Sequence, residues 1–289
     1  MLAAAIDVGS NSTRLLVADI TGGKVVPIIT DMRTTRLGQG IMEGRLSDEA
    51  VSRTIAAIED FVRRSCEHGA KKINIAATSA VRDAKNSRDF INAVLSATGI
   101  KPRVLSGTEE ARLSYEGVMA GTGYNEAVTV VDIGGGSTEF TWASSGRPQS
   151  ISMNAGAVRM TEWGCGQEQV EAVLRKAIET VKRDCTGDVV GVGGTVTTLA
   201  AMALGLRVYN REKVHGYKLT LNMVDQIYSD LIRLSVEERK QLPGLQPERA
   251  DIIPAGVLIL SVILHGLEKE YLLVSEADIL YGLVLCCWC

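Results

Sequence analysis

An α/β fold assembled from two related domains is what this sequence predicts, on three observations. A segment recurs: residues 5–14 read AIDVGSNSTR and residues 130–139 read VVDIGGGSTE. Asp7 aligns with Asp132, Gly9 with Gly134, Ser12 with Ser137 and Thr13 with Thr138, all at an offset of 125 residues. Strand and helix patterns alternate after each copy, which argues for α/β layering. The chain, at 289 residues, is too long for one typical core and suits two.

The elements follow in order. In each copy an apolar strand runs into an aspartate, a tight Gly/Ser turn, and a second strand. The first half continues with strands at 15–18 and 25–29, an antiparallel meander. A helical pattern then spans 48–68, followed by strand 73–77, helix 86–98, strand 103–105 and a helix that opens at Ser106. The second half repeats the plan with strands around 128–132, 139–143 and 149–153, helix 167–185 and strand 189–192. Gly193-Gly194-Thr195 opens another helix, and the remainder reads as mostly helical up to strand 271–275 and a last helix from Ala277. These patterns predict domains 1–121 and 122–289, joined near Gly121-Thr122-Gly123, with helix 277–289 packing back on the first. No low-complexity linker separates the halves, so an active-site cleft is expected between directly connected elements.

Composition narrows the function classes. Hydrophobic residues make up 46% and charged residues 22%, the balance of a soluble globular protein. A net charge of −3 offers no broad positive field for nucleic acid, so an anionic ligand needs local donors and a metal ion. The six cysteines suggest no disulfide framework, which favours a reducing cytoplasm. No basic leader precedes Asp7, and the apolar run 257–264 is much shorter than the ~20 residues of a membrane span. The terminal Cys286-Cys287-Trp288-Cys289 reads as apolar packing at a helix end rather than a metal or redox tail. The scattered His68, His215 and His265 read as structural or exposed.

The repeated turn carries the chemistry. Gly9, Ser10, Asn11 and Ser12, and again Gly134, Gly135, Gly136, Ser137 and Thr138, present backbone N–H groups and short hydroxyls with little bulk. Such a concavity accepts phosphate oxygens. Asp7 and Asp132 would repel phosphate, so their role is either to hold Mg²⁺, with Mn²⁺ as an alternative, or to cap the turn. Glu139 is a further metal candidate or an exposed strand carboxylate. Ser106 and Glu109 have capping-box spacing, which explains Glu109 structurally and leaves Glu110 without a local partner. A carboxylate at Glu110 can take a proton from an attacking water. Arg36, Arg82 and Arg159 are phosphate candidates or surface arginines; Arg82 lies just past a strand end, Arg159 at a strand-to-helix turn. Gly191-Val192-Gly193-Gly194-Thr195 lacks the lysine of a P-loop and the full dinucleotide spacing, but opens a helix that can meet an anion.

With these residues assembled, the chain resembles the exopolyphosphatase/guanosine pentaphosphate phosphatase (Ppx/GppA) family. The segments IDVGSNSTRLLV, TRLGQG, ATSAVRDAKN, SGTEEARL, VVDIGGGSTE, NAGAVRMTE, GVGGT and ERADIIPAG carry the likeness over nearly the whole length. The resemblance implies an actin-like ATPase (ribonuclease H-like) superfold with two duplicated domains. It implies Mg²⁺-dependent release of terminal phosphate from linear polyphosphate or pppGpp, and it points to a homodimer. It places the water-activating role on Glu110 and metal binding on Asp132 and Glu139. The chain ends at Cys289, like a short form without the C-terminal helical domains of longer members, which puts long-chain processivity in doubt. Leu280, in SEADILYG, stands where members commonly carry arginine. A small-molecule kinase of the same superfold and a non-catalytic (p)ppGpp or polyphosphate sensor are the alternatives. An acceptor-dependent rate would mark the first, and binding without phosphate release the second. Polyphosphate and pppGpp present the same tail to these turns, and the sequence does not choose between them.

Overall fold

The computed structural model of the chain describes residues 1–124, 128–144, 147–184 and 187–287, without the side chains of Met42, Ser144 and Arg147. By internal contacts it divides into two compact units, Met1–Gly123 with Ala277–Cys289, and Tyr124–Glu276.

The first unit is a five-stranded sheet with helices on both faces. β1 (Leu2–Val8), β2 (Ser12–Thr21) and β3 (Lys24–Thr34) form the antiparallel meander. Then come α1 (Asp48–Glu67), β4 (Lys72–Ala77), α2 (Ser79–Asp83), α3 (Ser87–Thr98), β5 (Arg103–Val104) and α4 (Gly107–Thr122). The sheet order is β3-β2-β1-β4-β5, with β4 and β5 parallel to β1. The strand period of two sorts β1 between the faces. Ala4, Ile6 and Val8 join Phe61 and Phe90 from α1 and α3, while Ala3 and Ala5 join Leu113 of α4 and the chain's last helix. Asp7 has the parity of the second set, a point the site depends on. α1 shows why such segments are helical: Ser47 caps it through Ala50 N–H, acids occupy its first turn, and Ala50, Thr54, Ala57, Ile58, Phe61 and Ser65 form one buried stripe.

The second unit opens with the same meander, β6 (Thr129–Ile133), β7 (Thr138–Ser144) and β8 (Arg147–Met153). It continues through α5 (Ala157–Glu162), α6 (Gln167–Asp184), β9 (Val189–Val192), α7 (Gly194–Ala203), α8 (Arg211–Val214), β10 (Lys218–Thr220), α9 (Leu221–Arg233), α10 (Val236–Arg239), α11 (Ile253–Gly266) and β11 (Tyr271–Val274). Its sheet order is β10-β11-β9-β6-β7-β8, over a core centred on α11. α11 is apolar on all sides and carries Pro254 in its first turn, as suits a buried helix. No helix among the described residues is long and apolar enough to cross a membrane.

The chain then returns to the first unit as α12 (Ile279–Leu285). α12 packs on α4 backbone to backbone: a Cβ on Gly117 would strike the Asp278 carbonyl, and one on Gly282 the Leu113 carbonyl. Leu280 is buried in the same core.

Gly121 and Thr122 are the last residues of α4 and Gly123 is its cap, and the two units part at that helix end, between Gly123 and Tyr124. The stretch read as mostly helical contains β10, an edge strand of three residues too short to show a period. α6 is described to Asp184; Cys185, Trp288 and Cys289 lie outside the described residues. Of the described cysteines, Cys66, Cys165, Cys286 and Cys287 are free thiols, and burial pushes the Cys287 thiol up to about 11. His68 is exposed, His265 pairs with Asp225, and His215 Nδ1 accepts from the Glu276 N–H.

Candidate active site: two glycine turns and their carboxylates

The two turns are built alike. Gly9 N–H donates to Ser12 O at 3.0 Å, and Gly134 N–H to Ser137 O at 3.0 Å. The other turn carbonyls are pinned from behind. In the first turn Ser10 O accepts from Gly38 N–H and Asn11 O from Arg36 N–H, both at 2.8 Å. In the second, Gly134 O and Gly135 O accept from the first amides of α5, and Gly136 O accepts from Arg159 Nε at 2.7 Å. C=O and N–H point to opposite sides of a trans peptide, and no cis bond occurs among the described residues. The amides following each pinned carbonyl, on Asn11 and Ser12 and on Gly135, Gly136 and Ser137, are therefore directed away from the bracing segments. Two open arcs of donors result, the arrangement that binds phosphate oxygens.

Several predicted residues serve as bracing. Arg159 holds Gly136 O and stacks on Trp163. Arg36 adopts a φ of 50° to reach Asn11, a conformation costly outside glycine and found at constrained functional sites. Thr138 Oγ1 donates to Ala155 O, and Ser10 Oγ meets Ser79 Oγ at 3.0 Å.

The carboxylates before the turns differ in partner. β1 and β2 place Asp7 opposite Arg14; β6 and β7 place Asp132 opposite Glu139 on the corresponding rung. Side chains on one rung share a face. Asp7, only 4% exposed, receives Arg14 Nη2 at 2.7 Å and Nε at 3.0 Å, both on Oδ2. Its Oδ1 is buried with no hydrogen-bond partner among the described residues. Arg14 Nη1 also pairs with Asp278, the N-cap of α12. Burial holds the Asp7 carboxyl above the usual range, though Arg14 pulls it down and Asp278 pushes it further up. For Arg14 burial acts downward, yet Asp278 and Asp7 together leave the guanidinium more firmly protonated than usual.

In the second copy both rung positions are acidic. Glu139 is 2% exposed, so the reading of an exposed strand carboxylate does not hold. Its Oε1 accepts from Ser152 Oγ at 2.7 Å. Gly193, at φ 91°, leaves room for Asp132: a Cβ there would lie 2.7 Å from Ile133 O and 2.9 Å from Asp132 Oδ1. Beside it, the guanidinium of buried Arg249 lies over Gly194 at the start of α7, held by Gln246 Oε1 at 2.9 Å from Nε.

Glu110 stands in the first turn of α4. The capping box forms as the spacing required, with Ser106 and Glu109 exchanging hydrogen bonds. Glu110 is buried, and Arg82 Nη1 reaches its Oε2 at 3.0 Å while also donating to Leu105 O at 2.9 Å. Arg82, read from sequence as a phosphate ligand, here orients a carboxylate.

Comparison with known proteins fits this geometry. The family model described as the Ppx/GppA phosphatase family matches residues 16–285. The chain is 33% identical to exopolyphosphatase 2 of Mycobacterium tuberculosis over 98% of this chain and 97% of that protein. The chain belongs to the Ppx/GppA phosphatase family. The crystal structure of the Aquifex aeolicus Ppx/GppA enzyme matches it with a TM-score of 0.81 and 31% identity, covering 99% of both chains. An exopolyphosphatase from Cytophaga hutchinsonii, at 23% identity, shares the fold with a TM-score of 0.88 over 98% of this chain and 96% of that one. The fold is thus the actin-like ATPase fold, and this Ppx/GppA member is a hydrolase acting on phosphoanhydride bonds.

A divalent ion fits the donors of this Ppx/GppA chain. No group of three or more His, Cys, Asp or Glu able to hold a metal occurs among the described residues. Mg²⁺ does not require one: it keeps several waters and is bound through one or two carboxylates plus substrate phosphates. Two facing carboxylates on one rung repel each other, and a hard cation relieves that repulsion. The unpartnered Asp7 Oδ1 is a further hard donor in the first unit. Sequence reasoning missed Arg14, Asp278 and Arg249. The contrast of Arg14 with Glu139 at one repeat position was the available signal; Arg249 lies within ERADIIPAG and Asp278 within SEADILYG, where spacing alone gave neither a role.

Proposed function

We propose that this chain releases terminal orthophosphate from linear inorganic polyphosphate in a Mg²⁺-dependent reaction. The observation that carries the reading is the acidic rung of half-buried Asp132 and buried Glu139, set directly before a turn with outward amides. The exopolyphosphatases among its relatives support the substrate class. Asp132 and Glu139 would hold the ion. When bound, the ion neutralises phosphate charge and supplies Lewis acidity. The amides on Asn11, Ser12, Gly135, Gly136 and Ser137 bind and orient phosphate oxygens. Glu110, oriented by Arg82, takes a proton from the water that attacks the terminal phosphorus; the bond to the bridging oxygen breaks, and the chain leaves one phosphate shorter. Arg249 adds a cation at the start of α7.

The test is phosphate release from long polyphosphate, short polyphosphate and pppGpp at equal concentrations of chain ends, with Mg²⁺ and after its removal by EDTA. Release from polyphosphate that stops on chelation is expected, with Glu110→Gln lowering kcat by roughly 10²–10⁴. A preference for pppGpp would replace the substrate, and near-normal turnover in the variant would remove Glu110 from the mechanism.

A further inference from the structure

We propose that Asp278 is a positioning residue for the first glycine turn: its buried carboxylate, fixed as the cap of α12, holds Arg14 across Asp7 and withholds that guanidinium's charge from incoming phosphate. The proposal rests on the polyphosphatase reading above and adds a residue to it.

Asp278 is buried and fixed on three sides. Its Oδ1 accepts from Leu280 N–H at 3.0 Å, its Oδ2 pairs with Arg14 Nη1, and its carbonyl lies against Gly117 of α4. Arg14 is thereby gripped by Asp278 at one end and by Asp7 at the other, 264 residues apart in sequence from the first and 7 from the second. Two carboxylates share one guanidinium, so the cluster carries one surplus negative charge next to a turn built for an anion. Asp7 alone would have sufficed to pair Arg14, and a neutral residue would have sufficed to cap α12. The second carboxylate therefore has an electrostatic consequence that neither pairing nor capping needs. It fixes the guanidinium and weakens ground-state attraction for phosphate, which is the direction that favours turnover over tight binding. α4 carries Glu110 at its first turn, so the same cap also seats the helix that bears the proposed base.

Asp278→Asn keeps a cap acceptor of equal quality and removes the charge. Asp278→Glu keeps the charge and strains the cap. KM and kcat on polyphosphate are measured for wild type and both variants, with tripolyphosphate affinity by calorimetry without added metal and melting temperature alongside. The expected result is a KM at least threefold lower and a kcat no higher in Asp278→Asn, with matching tighter binding of tripolyphosphate. Asp278→Glu then returns KM towards wild type despite a lower melting temperature. Wild-type KM and binding in Asp278→Asn, or a KM that follows melting temperature rather than charge, would overturn the proposal. Were the wild type to release no phosphate from polyphosphate, the functional reading would fall by itself, and the calorimetric arm would still decide the role of Asp278.

Discussion

The two copies of the strand–Asp–turn unit share backbone and register, yet one rung separates them chemically. In the first copy an arginine faces the aspartate and neutralises it; in the second a buried glutamate faces it and doubles the charge. The duplicated backbone thus supplies anion-binding amides twice, while the facing residue decides what each copy does with its carboxylate. The first copy closes an internal ion-pair cluster. The second sets two carboxylates on one rung, where the proposed Mg²⁺ would be held.

The largest effect should come from converting the second copy into the first. Glu139→Arg would place a guanidinium opposite Asp132, and turnover on polyphosphate should fall by about 10³ or more, at least the loss of one preorganised electrostatic group. Loss of Mg²⁺ binding in titration calorimetry would accompany it, and retained Mg²⁺-dependent turnover would sink the assignment of the acidic rung. The reverse contrast is tested by Arg14→Met, which leaves Asp7 and Asp278 facing each other without their cation. Breaking a buried pair costs roughly 3–5 kcal/mol, to be read from urea denaturation, and a change below about 1 kcal/mol would mean that the cluster is not a structural charge lock. The smallest effect concerns the strand-to-helix junction after each copy. The first uses Thr78-Ser79 and the second Gly193-Gly194, where glycine leaves room for Asp132. Gly193→Ala should cost about 1–3 kcal/mol through its strained φ and lower Mg²⁺ affinity; an unstrained, fully active variant would show that the junction does not shape the acidic rung.

Much of this architecture was legible because it is local or repeated. The meander, the long amphipathic helices and the duplicated turn follow from periodicity and from glycine placement. The capping box of Ser106 and Glu109 forms as its spacing required. What escaped the sequence depends on distance or brevity. α2 and β10 are too short for a period to declare itself. Arg82 finds Glu110 from another element, 28 residues away, so its carboxylate partner is invisible to spacing. Arg14 meets Asp7 only once the register of β1 against β2 is known, and Asp278 joins them from the far end of the chain.

The return of α12 to the first unit has a consequence for synthesis. Gly123 leaves the ribosome long before Ala277, with the whole second unit translated in between. At about 5–20 residues per second that interval lasts on the order of 10–30 s. Throughout it the nascent N-terminal sheet lacks one helix of its core, Leu113 and Leu16 have no α12 to pack on, and Arg14 has only one of its two carboxylates. The first unit is thus the first to be made and the last to be finished. Its exposed apolar face is where a chaperone holding the nascent chain would be needed.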